Sequence, residues 1–326
     1  MNILYVTGCD APFFNSLLIC LQSVAERMPG HRLFVCDFGL TGTQAEFLRE
    51  LGVLLARPPA LASRGVFFCK SSLVHYLRHN GHKVEDHDAV IWLDADITLM
   101  DVGSGDFEAV IANLINARAD VAACLEPVGR DVGQVIAQFP DASAIAPFDR
   151  MVAETGIDRG APYLCTGLIF FRSAAVLGRW ADMADKAADH PLFDQNIFNL
   201  VVHQDRGPFL AMACEDWQAY GYALDRVRLV PSGPGRRPAA RLGEHNIKLL
   251  HTTSSVPGHL LITTCRMTVR DLDLTGPFKL FLAEPLRQHQ LQLLAVFVAV
   301  HGEALFRLGL STRAARPVEG FHFVTL

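Results

Sequence analysis

The sequence has no CxxC pair and no cluster of cysteines: its eight, at positions 9, 20, 36, 69, 124, 165, 214 and 265, stand singly in apolar segments. That scatter excludes a cysteine-built zinc site and supplies no disulfide framework, so the thiols read as small core residues of a protein in a reducing cytosol. Nor is there a surplus of positive charge. With 29 Lys and Arg against 34 Asp and Glu, a formal net charge of -5, the chain lacks the basic face of a nucleic-acid binder. One short run, Gly235-Arg236-Arg237-Pro238-Ala239-Ala240-Arg241, goes the other way and reads either as a solvated loop or as a contact for phosphate or an acceptor. Long apolar runs are missing too: Leu291 to Val300, interrupted by Gln292 and closed by His301, is too short to cross a bilayer, which leaves contact with a membrane surface open. Met1 to Gly8 lacks the basic start of a secretory signal and reads as a first strand. No repeat or low-complexity tract stands out.

Half of the 326 residues are hydrophobic, enough for one large α/β domain or two smaller ones. The first hundred residues alternate strand and helix patterns at the spacing of a βαβ array. Ile3 to Thr7, Leu33 to Cys36, Val53 to Ala56 and Ala89 to Leu93 read as strands. Asn15 to Met28 carries Leu17, Leu21, Val24 and Met28 at the helical period and stops at Pro29-Gly30. Thr43-Gln44-Ala45-Glu46 fits a capping box for a helix ending at Gly52, and Arg64 to Arg78 reads as a further helix. Later come a helix near Phe107 to Ala117, strands at Val121 to Leu125 and Tyr163 to Phe171, and a helix that Ser173 can cap. Pro191 to His203 then reads as a helix, and Ile247 to Leu250 as a short strand ending in His251. Val128 to Gly160, a looser stretch rich in Pro, Asp and Gly, reads as a mobile or substrate-facing insertion. Beyond Pro277 the pattern is mostly helical with a break at Pro285. The expected division is a main domain over 1–276 and a C-terminal helical extension over 277–326.

The most informative stretch is Ala89-Val90-Ile91-Trp92-Leu93-Asp94-Ala95-Asp96-Ile97. An apolar run of this kind marks a strand buried on both faces, so the two carboxylates must lie at its end, where solvent, a cation or a ligand compensates their charge; burying them bare would cost several kcal/mol each. Residues i and i+2 of a strand point the same way, which lets Asp94 and Asp96 converge on one hard cation. Parallel sheets bind ligands beyond the carboxyl ends of their strands. Thr7-Gly8-Cys9-Asp10 and Asp94-Ala95-Asp96 both sit at such ends and should face one crevice.

The buried strand ending in Asp-x-Asp, the first strand ending in Thr-Gly-Cys-Asp and the late apolar strand ending in His251 together resemble the nucleotide-diphospho-sugar transferases of the type-A glycosyltransferase fold, most closely glycosyltransferase family 8. The resemblance spans about residues 1–258. It implies a Rossmann-like, mostly parallel sheet flanked by helices, and an enzyme that moves a hexose from a UDP-sugar to a hydroxyl of a carbohydrate, glycolipid or protein with retention of anomeric configuration. It implies further that Asp94, Asp96 and His251 hold Mn2+ or Mg2+ on the diphosphate of the donor, with Asp94 and Ala95 beside the nucleotide. One imidazole among oxygen ligands suits manganese, and a doubly charged ion would neutralise charge growing on the leaving UDP. On the same resemblance, Thr7, Gly8 and Asp10 contact uracil and ribose, Lys70 faces the diphosphate or sugar, and Asp194 and Gln195 lie beside the reacting sugar.

Each of these residues has a plainer reading as well: a surface or core histidine for His251, a solvated helix lysine for Lys70, a strand-end turn for Thr7 and Asp10, and a helix cap for Asp194. Two positions depart from the family pattern. Cys165 in Tyr163-Leu164-Cys165-Thr166-Gly167 stands where the family has an Asn that touches the donor sugar. His251-Thr252-Thr253-Ser254-Ser255-Val256-Pro257-Gly258-His259 lacks the family lysine that touches the diphosphate, for which Arg236, Arg237, Arg241 or His259 could substitute. Two rival functions remain: a non-catalytic sugar-nucleotide-binding relative, and a haloacid-dehalogenase-type phosphatase in which Asp94 is the nucleophile and Asp96 the general acid. The expected setting is cytoplasmic, with the C-terminal helices free to pair with a second subunit or to touch the inner face of a membrane.

Overall fold

The computed structural model describes every residue except 128–130, 205–206 and 232–237, so the Arg236 and Arg237 part of the basic run lies outside the described residues. The chain forms two compact units, one of Met1–Val6, Leu55–Asp94 and Gly105–Trp217, the other of Thr7–Leu54, Ala95–Ser104 and Gln218–Leu326. The first strands in chain order are β1 (Ile3–Cys9), β2 (Leu33–Asp37), β3 (Leu54–Leu55), β4 (Ala89–Leu93), β5 (Ile97–Leu99), β6 (Val121–Leu125), β7 (Leu164–Phe171) and β8 (Phe209–Met212). All but β5 join one sheet in the order β3-β2-β1-β4-β7-β6-β8. The result is an α/β architecture, a sheet with parallel and antiparallel pairs flanked by helices.

Within the first unit, β4 lies between β1, to which it is parallel (Ile3 opposite Ala89), and β7, to which it is antiparallel (Leu93 opposite Leu168). All five of its residues are buried, as the unbroken apolar run demands of a central strand covered on both faces. β7 is antiparallel to β6 as well, with a register shift between Ala123 and Cys124, and β6 is parallel to β8. Tyr5, Phe107, Phe170 and Trp217 pack edge to face or tilted on one another, and Phe171, Trp180 and Phe198 form a second ring cluster. Each such side chain contributes about 1.5–3 kcal/mol by leaving water.

The second unit carries β9 (Gln218–Ala219), β10 (Val227–Val230), β11 (Ala239–Leu242), β12 (His245–Ile247), β13 (Leu249–His251), β14 (Leu260–Val269), β15 (Leu272–Phe281), β16 (Thr312–Arg313) and β17 (Phe321–Thr325). They form three small sheets, β10-β11-β12, β5-β13-β9 and β16-β15-β14-β17. Its core joins Phe14, Leu17 and Phe47 to Phe278 of β15 and to Leu291, Leu294, Phe297 and Val298 of the helix Glu284–Arg307. Among the described residues no helix is long and apolar enough to cross a membrane.

Four sequence expectations are corrected in detail. Residues 131–160, within the stretch read as an insertion, are largely helical: they hold helices Val132–Ala137 and Ala142–Thr155, capped by Asp131 and Asp141, whose polar caps resembled loop composition. The capping box is real but begins at Thr41, whose side chain pairs reciprocally with Gln44. The helix expected over 64–78 is two short ones, Val66–Ser71 and Leu73–His79, with Ser72 between them. After Pro277 the chain is still strand as far as Phe281, and Pro285 falls in the first turn of the long helix, where its missing N–H costs nothing.

Candidate metal centre

In the first unit the chain leaves β4 at Leu93 and extends its ladder by one bond, Asp94 N donating to Gly167 O at 2.9 Å. Asp94 Oδ1 then accepts from the Trp92 indole Nε1 at 2.7 Å and from Lys70 Nζ at 2.8 Å. Lys70 closes the short helix Val66–Ser71 and is buried. Its ammonium also reaches Asp194 Oδ2 at 2.9 Å and donates to Thr166 Oγ1 at 3.1 Å, and that hydroxyl donates to Asp194 Oδ2 at 3.0 Å. Burial pushes the Lys70 ammonium down, but Asp194 and Asp94 outweigh it and hold its pKa well above the ordinary lysine value. Lys70 is therefore not a solvated helix lysine. Asp194, in the first turn of Phe193–Gln204, turns its carboxylate to Lys70 and Thr166. Gln195 accepts from Thr166 N at 3.1 Å and donates to Glu126 at 3.4 Å. Cys165 is buried in β7, next to the Thr166 that organises this cluster.

In the second unit β5 and β13 run antiparallel with His251 opposite Ile97, and Thr252 N donates to Asp96 O at 3.0 Å. This register fixes His251 beside Asp96, with Nε2 3.1 Å from Asp96 Oδ1. The second oxygen, Oδ2, accepts from Lys279 Nζ at 2.7 Å. Burial pushes the Asp96 carboxyl up, yet His251 and Lys279 outweigh it and hold it well below the usual carboxylate range. Lys279 escaped the sequence reading because the chain beyond Pro277 reads as helix, whereas Lys279 lies in the strand Leu272–Phe281 with no motif around it. The register of the β14–β15 hairpin, Ile262 opposite Lys279, places it there. Of the substitutes considered for the absent family lysine, His259 is committed elsewhere, its Nε2 to Asp225 Oδ1 at 2.9 Å and its Nδ1 to Ser254 Oγ at 2.9 Å. Arg241 donates to Asn246 at 3.0 Å on an exposed surface.

The end of β1 is unusual in its polar atoms. Thr7 Oγ1 and Asp10 Oδ1 are buried without a hydrogen-bond partner among the described residues, and burial raises the Asp10 carboxyl above its ordinary pKa, against the pull of the Phe13 and Asp10 backbone amides. Burial raises the intervening Cys9 thiol as well, and the neighbouring Asp10 adds to the shift. Gly8 is needed for packing, since a Cβ there would stand 2.1 Å from the Phe38 ring.

Asp94, Asp96 and His251 each offer one ligand atom, all within 4.8 Å of one another. Two carboxylate oxygens and an imidazole nitrogen are a donor set that could hold a divalent metal ion. Convergence does not come from strand alternation, as the spacing suggested. Ala95 and Asp96 form a turn between β4 and β5, and pairing of β5 with β13 aims the second acid.

No family model matches the sequence, and no curated protein matches it. Among solved structures, the bifunctional glycosyltransferase WbbM superposes with a TM-score of 0.50 at 12% identity, over 77% of this chain and 45% of that one; the chain thus spans under half of its length. The galactosyltransferase LgtC, in complex with donor and acceptor sugar analogues, gives 0.44 at 16% identity, over 79% and 88% of the two chains. Mouse xyloside xylosyltransferase 1 gives 0.43 at 13%, over 76% and 97%. All three are glycosyltransferases by name, and at such identities the likeness to WbbM shows a shared fold and nothing more.

Proposed function

We propose that the protein is a metal-dependent glycosyltransferase that moves a hexose from a UDP-sugar to a hydroxyl acceptor with retention of anomeric configuration. The observation that carries this reading is the convergence of Asp94, Asp96 and His251 in a glycosyltransferase fold. These three residues would hold Mn2+ or Mg2+, which when bound supplies positive charge to the leaving diphosphate. Lys70, locked between Asp94 and Asp194, fixes the first acid relative to the side chains of Asp194 and Gln195, which lie beside the donor sugar and meet positive charge at its anomeric carbon. Thr7 and Asp10 offer buried, unpartnered polar atoms for the uracil and ribose, an arrangement that costs free energy until a ligand satisfies it. Cys165 in place of an amide side chain alters the wall facing the sugar, and the acceptor is a carbohydrate, glycolipid or protein.

The test is thermal stabilisation by UDP-glucose, UDP-galactose and UDP-N-acetylglucosamine, with manganese and with chelator, followed by sugar release or transfer on the donor that stabilises. Manganese-dependent stabilisation and turnover are expected. Metal-dependent UDP binding with no turnover of any donor would instead mark a binding protein. Hydrolysis of p-nitrophenyl phosphate abolished by Asp94→Asn would mark a phosphatase.

A further inference from the structure

We infer that Lys279 is a resident counter-ion that a divalent cation must displace from Asp96 and that the diphosphate of the donor then takes up, so that metal and sugar nucleotide bind together rather than independently. This rests on the proposed function. Both oxygens of Asp96 are occupied, Oδ1 by His251 Nε2 at 3.1 Å and Oδ2 by Lys279 Nζ at 2.7 Å. Any ion that coordinates this carboxylate meets an ammonium already bound to it, and like charges at that range repel in a partly dry site.

Lys279 is built to be exchangeable. Asp96 is its one ion-pair partner among the described residues, its other neighbour being the Phe13 ring with the centroid at 5.3 Å. Its backbone, by contrast, is fixed: the paired hairpin holds it opposite Ile262, Asn15 Nδ2 donates to Pro277 O at 2.9 Å, and Ser16 Oγ donates to Lys279 O at 3.3 Å. A lysine is a compact point charge on a flexible stem. Released from Asp96 with its side chain only 15% exposed, it needs an anion close by, because an unpaired charge at such a depth is costly. A diphosphate supplies that anion, and charge-assisted bonds from ammonium to phosphate are among the stronger ones. Metal alone would therefore leave Lys279 without a partner, and nucleotide alone would find it still engaged with Asp96.

Titration calorimetry on the full chain reads this out without turnover. In the unsubstituted protein Mn2+ alone is expected to bind weakly and UDP to tighten it. In Lys279→Met, which keeps the stem and removes the charge, Mn2+ alone should bind about tenfold tighter while UDP in the presence of Mn2+ binds more weakly, so the two affinities move in opposite directions. Lys279→Arg should restore weak metal binding and the coupling to UDP. Circular dichroism and melting temperature establish folding, and Lys279→Gln replaces the Met variant if that fails to fold. Metal affinity that is unchanged or weaker in the folded, uncharged variant overturns the inference and leaves the proposed function standing. Absence of any Mn2+-dependent UDP binding by the unsubstituted protein sinks the function itself.

Discussion

Asp94 and Asp96 stand two residues apart, each with an ammonium within 2.8 Å, yet their surroundings differ. Lys70 bridges two acids and a threonine hydroxyl and lies near the Trp92 ring, so that every direction it could move in breaks several charge-assisted bonds at once. Lys279 has one acid and a ring. The same pairing of carboxylate with ammonium thus serves as a strut in the first unit and as a replaceable partner in the second. Charge count alone does not separate the two roles; the number and burial of the other bonds to the ammonium does.

The sharpest way to break that comparison is Lys70→Met. Removing one member of a buried ionic network leaves its partners as uncompensated charge and costs about 3–5 kcal/mol, a large share of the roughly 5–15 kcal/mol that holds a domain together. Urea denaturation should show this loss, and Lys279→Met should show a much smaller one, because Asp96 keeps His251. Equal losses in the two variants would erase the distinction between strut and counter-ion.

Next in size is the effect of Asp96→Asn on cation binding. Loss of the one acid whose carboxylate lies between His251 and Lys279 should weaken Mn2+ by at least about a hundredfold, measured by calorimetry with the melting temperature as control. Asp94→Asn should weaken the ion as well, and both substitutions should destabilise the protein, Asp94→Asn because Lys70 would lose one of its two acids and Asp96→Asn because Lys279 would lose its ion-pair partner.

How much of this was legible in the sequence depends on whether the governing interactions are local. β4 could be read to the residue, because an apolar run closed by Asp94 specifies a buried strand with polar ends, and His251 was legible because it follows a similar run. The family resemblance supplied the remaining donor-side candidates, Lys70, Asp194 and Gln195 among them. Lys279 was not legible. Its place depends on ten paired positions of a hairpin and on a helix some 260 residues earlier in the chain, where Asn15 bonds Pro277, 262 residues on, and Ser16 bonds Lys279, 263 residues on, and no local pattern encodes such a contact. The helices within 131–160 were missed for a different reason: the Asp residues that cap them and the Pro inside one carry the composition of a loop.

A third variant asks how stiffly the second unit presents its lysine. Gln290, buried on the long helix, accepts from Phe281 N at 2.9 Å and donates to Thr252 Oγ1 at 2.9 Å, so it ties the strand of Lys279 to the residue after His251. Gln290→Leu leaves both groups unpaired and should cost about 1–3 kcal/mol, with a weaker dependence of Mn2+ binding on UDP as the two segments loosen. Unaltered coupling in the destabilised variant would mean that the hairpin alone fixes Lys279.

The smallest effect belongs to Ser16→Ala. Its hydroxyl donates to the Lys279 carbonyl at 3.3 Å, a long bond of the neutral kind, and losing it should cost about 0.5–1 kcal/mol by urea denaturation. The bond holds the backbone of Lys279 and not its ammonium, and the carbonyl is already fixed by a hairpin of ten paired residues. Manganese affinity should therefore stay as it is in the unsubstituted protein, while Lys279→Met shifts it. If Ser16→Ala moved the metal affinity as far as removing the ammonium does, the position of the strand rather than the charge at its end would set the exchange, and the contrast between the two lysines would have to be redrawn in terms of backbone stiffness.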